Sequence, residues 1–148
     1  MIELDQRREI DASPETVFEL LADPRNHQKF TPSLTDVSDV SENDAGKRGT
    51  YEFGMVGTTM TGEFADTAYD PPNRRAYDLT GDIEGTVEWT VEATDGGSRV
   101  RYRSTIDLPG PDILDTITDP VAKRFMRQEV ESTLENLKVL LEEGQVEA

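Results

Sequence analysis

The chain has 148 residues, enough for one domain with a core of its own, and no cysteine, which removes disulfides, thiolate metal sites and thiol nucleophiles together. Its 31 acidic residues against 15 basic ones give a formal charge of −16, spread through every segment, so a nucleic-acid partner is disfavoured for want of a basic stripe. No apolar run reaches the length of a signal peptide or membrane span, and the expectation is a cytoplasmic protein without integral membrane association.

Residues 2–10 alternate, with Ile2, Leu4 and Ile10 on one side and Glu3, Asp5, Arg7 and Glu9 on the other, as in a half-buried strand. Ser13 and Pro14 supply a cap and a first position for a short helix whose apolar face is Val17, Phe18, Leu20 and Leu21. Asp23-Pro24 repeats the start signal and predicts a second short helix from Arg25 to about Phe30.

From Ser33 to Ile106 strands and turns alternate. Val37 and Val40 mark one strand, Tyr51, Phe53 and Met55 the next, and Met60, Phe64 and Ala68 a third. These end at Asn43-Asp44-Ala45-Gly46, Gly57 and Asp70-Pro71-Pro72-Asn73 respectively. Tyr77 and Leu79 lie on a fourth strand closed by Gly81, and Val87, Trp89 and Val91 on a fifth ended by Asp95-Gly96-Gly97. Val100, Tyr102, Ser104 and Ile106 alternate with Arg99, Arg101 and Arg103 on the sixth. Short loops imply antiparallel neighbours throughout.

Beyond Pro109, Ile113, Ile117, Val121, Phe125, Val130, Leu134, Leu137 and Leu141 recur at helical spacing. Pro120 disfavours a helical Asp119, which predicts a short helical turn to about Thr118 and then a kink. The long helix that follows has Asp119 as N-cap and Pro120 at its first position, and Gly144 ends it. The fold class is α+β: a single domain over 1–148 in which a seven-stranded curved antiparallel sheet wraps around a long C-terminal helix, with two short helices after the first strand. The first strand is expected to pair with the last.

Several phrases resemble the START/Bet v1-like superfamily, in particular its polyketide cyclase/dehydrase-like branch. They are Ile10-Asp11-Ala12-Ser13-Pro14-Glu15-Thr16-Val17-Phe18, Leu21-Ala22-Asp23-Pro24, Asp70-Pro71-Pro72-Asn73-Arg74 and Gly85-Thr86-Val87-Glu88-Trp89-Thr90-Val91. Gly96-Gly97-Ser98-Arg99-Val100 and Leu134-Glu135-Asn136-Leu137-Lys138 complete the set. One departure is that Phe30-Thr31-Pro32 stands where that superfamily often has an aromatic-Asn-Pro. The resemblance implies the helix-grip fold and a cavity between sheet and helix. A weaker likeness of Met60-Thr61-Gly62-Glu63-Phe64 to a START-like family associated with carbon monoxide dehydrogenase implies a membrane-derived, quinone-like or isoprenoid ligand. The acidic balance itself resembles proteins of salt-accumulating cells, where salt screens the repulsion.

The wall of such a cavity is predicted from the strand alternation: Tyr51, Phe53, Met55, Met60, Phe64 and Tyr77, then Trp89, Tyr102 and Ile106. Ile117, Val121 and Phe125 stand opposite them on the helix. A mostly apolar wall with a few hydroxyls suits a hydrophobic small molecule such as a lipid, isoprenoid, quinone or polyketide-like compound. Tyr51, Tyr77 and Tyr102 are its candidate polar contacts. The alternatives are a cyclase/dehydrase-type enzyme, in which a Tyr or Asp66 moves a proton, and a non-catalytic protein-interaction module.

No catalytic constellation, metal site or cofactor motif is visible. His27, the one histidine, sits between Asn26 and Gln28 and is predicted to face solvent. Asp66 points inward if the Met60–Phe64 alternation continues, although a solvent-edge position is the expected one. Arg99, Arg101 and Arg103 share one strand face and are expected to form a surface ladder with Glu88 and Glu92 in a register pairing Glu92 with Arg99 or Arg101.

Overall fold

Strand β1 (Ile2–Ile10) runs into helix α1 (Pro14–Ala22), where the Ser13 hydroxyl accepts the Thr16 N–H at 3.2 Å and Pro14 fills the first turn. Asp23 then caps a 3-10 helix over Pro24–Lys29 by accepting the Arg25 N–H at 3.0 Å. Six strands follow: β2 (Leu34–Glu42), β3 (Lys47–Met55), β4 (Thr58–Asp70), β5 (Arg74–Gly81), β6 (Glu84–Thr94) and β7 (Gly97–Asp107). The chain closes with helix α2 (Asp119–Gly144). The computed structural model describes residues 2–55, 57–108 and 119–144. The expected helical turn before Pro120, with Ile113 and Ile117, lies outside the described residues, as does the side chain of Asp119.

The seven strands form one antiparallel sheet in the order β1-β7-β6-β5-β4-β3-β2, so the first strand does pair with the last. Glu92 stands opposite Arg99 and Glu88 opposite Arg103, the in-phase register that keeps Val91 and Val100 on the core face. The outward arginines form ion pairs, but with both flanking strands. Arg103 and Arg74 of β5 converge on Glu88, while Arg101 and Arg99 reach back to Asp5 and Glu9 of β1. The facing helix ties down the free edge of β1 as well: Arg8 pairs with Glu135, and Gln6 and Lys138 donate to the carbonyls of Arg127 and Glu9.

Helix α2 corrects one expectation. Val121 is 48% exposed, and the inward face is Ala122, Met126, Val130, Leu134, Leu137 and Leu141. These follow steps of three and four without a break, whereas a stripe through Val121 and Phe125 needs a five-residue step to reach Val130. A straight helix cannot keep both on one face. The leucines packed at its C-terminal half set the phase, and Phe125 is left half-buried at the margin, edge-on to Phe53 at 6.5 Å.

Candidate functional site

Between the sheet and α2 lies a cavity of about 140 Å³. Phe53, Phe64, Trp89 and Ile106 face it from the sheet, with Met126 and Val130 opposite on the helix. Their alternation along the strands is what turns them inward together. Met55 and Met60 also point inward, but they are packed into the solid part of the core and do not line the cavity. Val121 is on the outside, and Phe125 stands behind Phe53.

The tyrosines divide. Tyr51 presents its ring to the cavity, but its hydroxyl faces the β5–β6 turn, 3.2 Å from the carbonyls of Thr80 and Ile83, and accepts the Ile83 N–H at 3.1 Å. That hydroxyl staples β3 to the turn and fits there because Gly62 has no side chain to collide with it. Tyr77 and Tyr102 both face the cavity. Tyr77 accepts the indole N–H of Trp89 at 3.3 Å, which leaves its own O–H free to donate. Burial pushes the phenols of Tyr77 and Tyr102 up from their ordinary range, with Arg75 opposing the shift at Tyr77 and the neighbouring Tyr77 adding to it at Tyr102.

One end of the cavity is a buried polar cluster that the sequence pattern does not predict. Arg75, 1% exposed, holds Asp66 Oδ1 with Nε at 3.0 Å and with a terminal nitrogen at 2.9 Å. Its other terminal nitrogen donates to the Leu21 carbonyl at 3.2 Å and lies 3.1 Å from His27 Nε2. The guanidinium also sits 4.5 Å above the Tyr77 ring centroid. Asp66 completes its set by accepting the Lys47 N–H at 2.9 Å. It is therefore a buried ion-pair partner, not a solvent-edge carboxylate: the β4 alternation does run on to it, and a register shift follows between Asp66 and Ala68.

His27 is likewise buried, at 7% exposure, against the expectation that it faces solvent. A 3-10 helix has three residues per turn, so Pro24, His27 and Phe30 stack on one side while Arg25 and Gln28 face outward. Its polar sequence neighbours are the wrong guide. Burial first, and then the adjacent Arg75, lower its pKa to about 3, so the imidazole is neutral. An arginine can only donate, so the contact with Arg75 is a hydrogen bond in the tautomer that leaves Nε2 unprotonated.

Glu129 is the second group that sequence reasoning misses. It lies on the inner face of α2, one residue before Val130, and lines the cavity at 8% exposure. Both its oxygens accept from Ser33, from the backbone N–H at 2.8 Å and from the hydroxyl at 2.7 Å, which pins the segment after the 3-10 helix to α2. Among the described residues there is no cluster of His, Asp and Glu able to hold a metal ion, and no helix is long and apolar enough to cross a membrane.

A family model described as polyketide cyclase / dehydrase and lipid transport matches residues 1–142. No curated protein matches the chain. Among solved structures, TTHA0849 from Thermus thermophilus is similar with a TM-score of 0.83 at 22% identity, over 96% of this chain and 98% of that one. A START superfamily protein from Mycobacterium smegmatis gives 0.79 at 13% identity, over 95% and 97%. The ZhuI aromatase/cyclase from Streptomyces sp. R1128 gives 0.77 at 15% identity, over 95% and 93%. At these identities the likeness is one of fold.

Proposed function

The chain belongs to the polyketide cyclase / dehydrase and lipid transport family, matched along residues 1–142, and from that premise we propose that it binds a hydrophobic small molecule reversibly between sheet and helix. The observation that carries this reading is the cavity of about 140 Å³ with predominantly apolar, aromatic walls. Burying ligand surface there would supply about 2.5 kcal/mol per 100 Å² of apolar area before ordering costs. Phe53, Phe64, Trp89 and Ile106 would provide the apolar contact, and Tyr77 and Tyr102 the orientation.

The polar groups support binding over proton transfer. General acid–base work at neutral pH is best served by a group titrating near 7. His27 is held at about 3, and Tyr77 and Tyr102 are pushed upward by burial. Asp66 is spent on Arg75 and the Lys47 N–H. Native mass spectrometry of protein purified from its own host, followed by solvent extraction, tests the reading. A stoichiometric hydrophobic compound is expected; an empty protein whose melting temperature ignores a lipid and quinone panel would refute it.

A further inference from the structure

The cavity's size, donors and charge narrow the class of ligand, on the premise that the cavity is the binding site. A dry cavity of about 150 Å³ accommodates one benzene-sized ring, and the volume here is about 140 Å³. A fused polycycle or a long acyl chain does not fit that space. The donors available are phenols: Tyr77 has an O–H left over after accepting from Trp89, and Tyr102 faces the same space. A phenol donor asks for an acceptor oxygen on the ligand.

Charge decides which kind of oxygen. The one lining cation among the described residues, Arg75, is already paired with Asp66, so it offers no unspent positive charge to an anion. His27 is neutral. Glu129 accepts at both oxygens, the pattern of a carboxylate, and it does so from the two neutral donors of Ser33. Its field reaches across the cavity to Tyr102, where it adds to the effect of burial and of Tyr77 in keeping the phenol protonated. An anion entering this space would lose its hydration and meet a carboxylate with no counter-cation among the described residues.

We infer that the cavity selects neutral single-ring compounds bearing a hydrogen-bond-accepting oxygen and rejects carboxylates, with Tyr77 and Glu129 as the two residues that set this preference. Acetophenone, cumene and benzoate carry equal numbers of non-hydrogen atoms and separate the contributions. By calorimetric titration, acetophenone should bind about threefold to tenfold more tightly than cumene, the worth of one neutral hydrogen bond. Benzoate should bind at least about tenfold more weakly than acetophenone. Tyr77→Phe should remove the acetophenone advantage and leave cumene unchanged. Glu129→Gln, which keeps an acceptor for Ser33, should strengthen benzoate about tenfold or more while acetophenone stays put. Benzoate binding as well as acetophenone, or selectivity indifferent to both substitutions, would overturn the inference while leaving the hydrophobic cavity standing. Failure of cumene and acetophenone alike to bind would overturn the cavity reading itself.

Discussion

The Asp66–Arg75 pair is the costliest feature of the interior, because two charges are held out of water with side chains 0% and 2% exposed. Such a pair contributes little net stability against an apolar replacement, but breaking it leaves one charge buried alone. Asp66→Asn should therefore destabilise the protein by about 3–5 kcal/mol in denaturant unfolding. The double variant with Arg75→Met should cost less than the two single changes summed. Additive losses would show that the groups are not coupled. His27 offers a second test at this scale. Its folded pKa lies below the ordinary 6.5, so the folded state binds fewer protons than the unfolded one below that pH. Its contribution is complete above about pH 6.5 and is lost as pH falls toward about 3, at up to about 1.4 kcal/mol per pH unit. Since it is the one histidine in the chain, its imidazole resonances should hold still in NMR from pH 8 down to about 4. A midpoint near 6.5 would place it in solvent.

Among the elements, α2 carries the sharpest structural claim. Leu134, fully buried, should cost about 2–5 kcal/mol when truncated to Ala, while Val121→Ala, on the exposed side, should stay within about 0.5 kcal/mol. The reverse order would put the helix in the other phase. The seven strands and their order were legible because each keeps a period of two between strong turn signals, and β1 pairing with β7 followed from the need to bury Ile2 and Leu4. Arg75 was legible in principle too, lying two residues before Tyr77 on the same alternation, although a charged side chain gives no prior reason to look inside. The 3-10 period that buries His27, and the helix phase that turns Glu129 into the cavity, depend on tertiary packing: Phe30 and Trp89 close on the imidazole, and the leucines of α2 fix its rotation.

Taken whole, the molecule has a strongly acidic surface laced with arginine pairs. Exposed pairs of this kind are worth about 0–1 kcal/mol each, and salt weakens them. The net charge of −16, however, makes repulsion the larger effect. Melting temperature should therefore rise as KCl goes from 0.1 M to 1 M, where the screening length falls from about 10 Å to about 3 Å. A fall would mean that the ladder of Arg74, Glu88, Arg103, Arg101 and Asp5 outweighs the repulsion.

Trp89 is the sole tryptophan, 2% exposed, and forms part of the cavity wall. Its fluorescence therefore reports what enters. Titration with acetophenone, a neutral ring that can quench by contact, should give saturable quenching of Trp89, and Val130→Trp, which fills the cavity from the helix side, should abolish saturation. Quenching that stays linear with concentration, or saturates equally in the filled variant, would mean that nothing binds between the sheet and the helix.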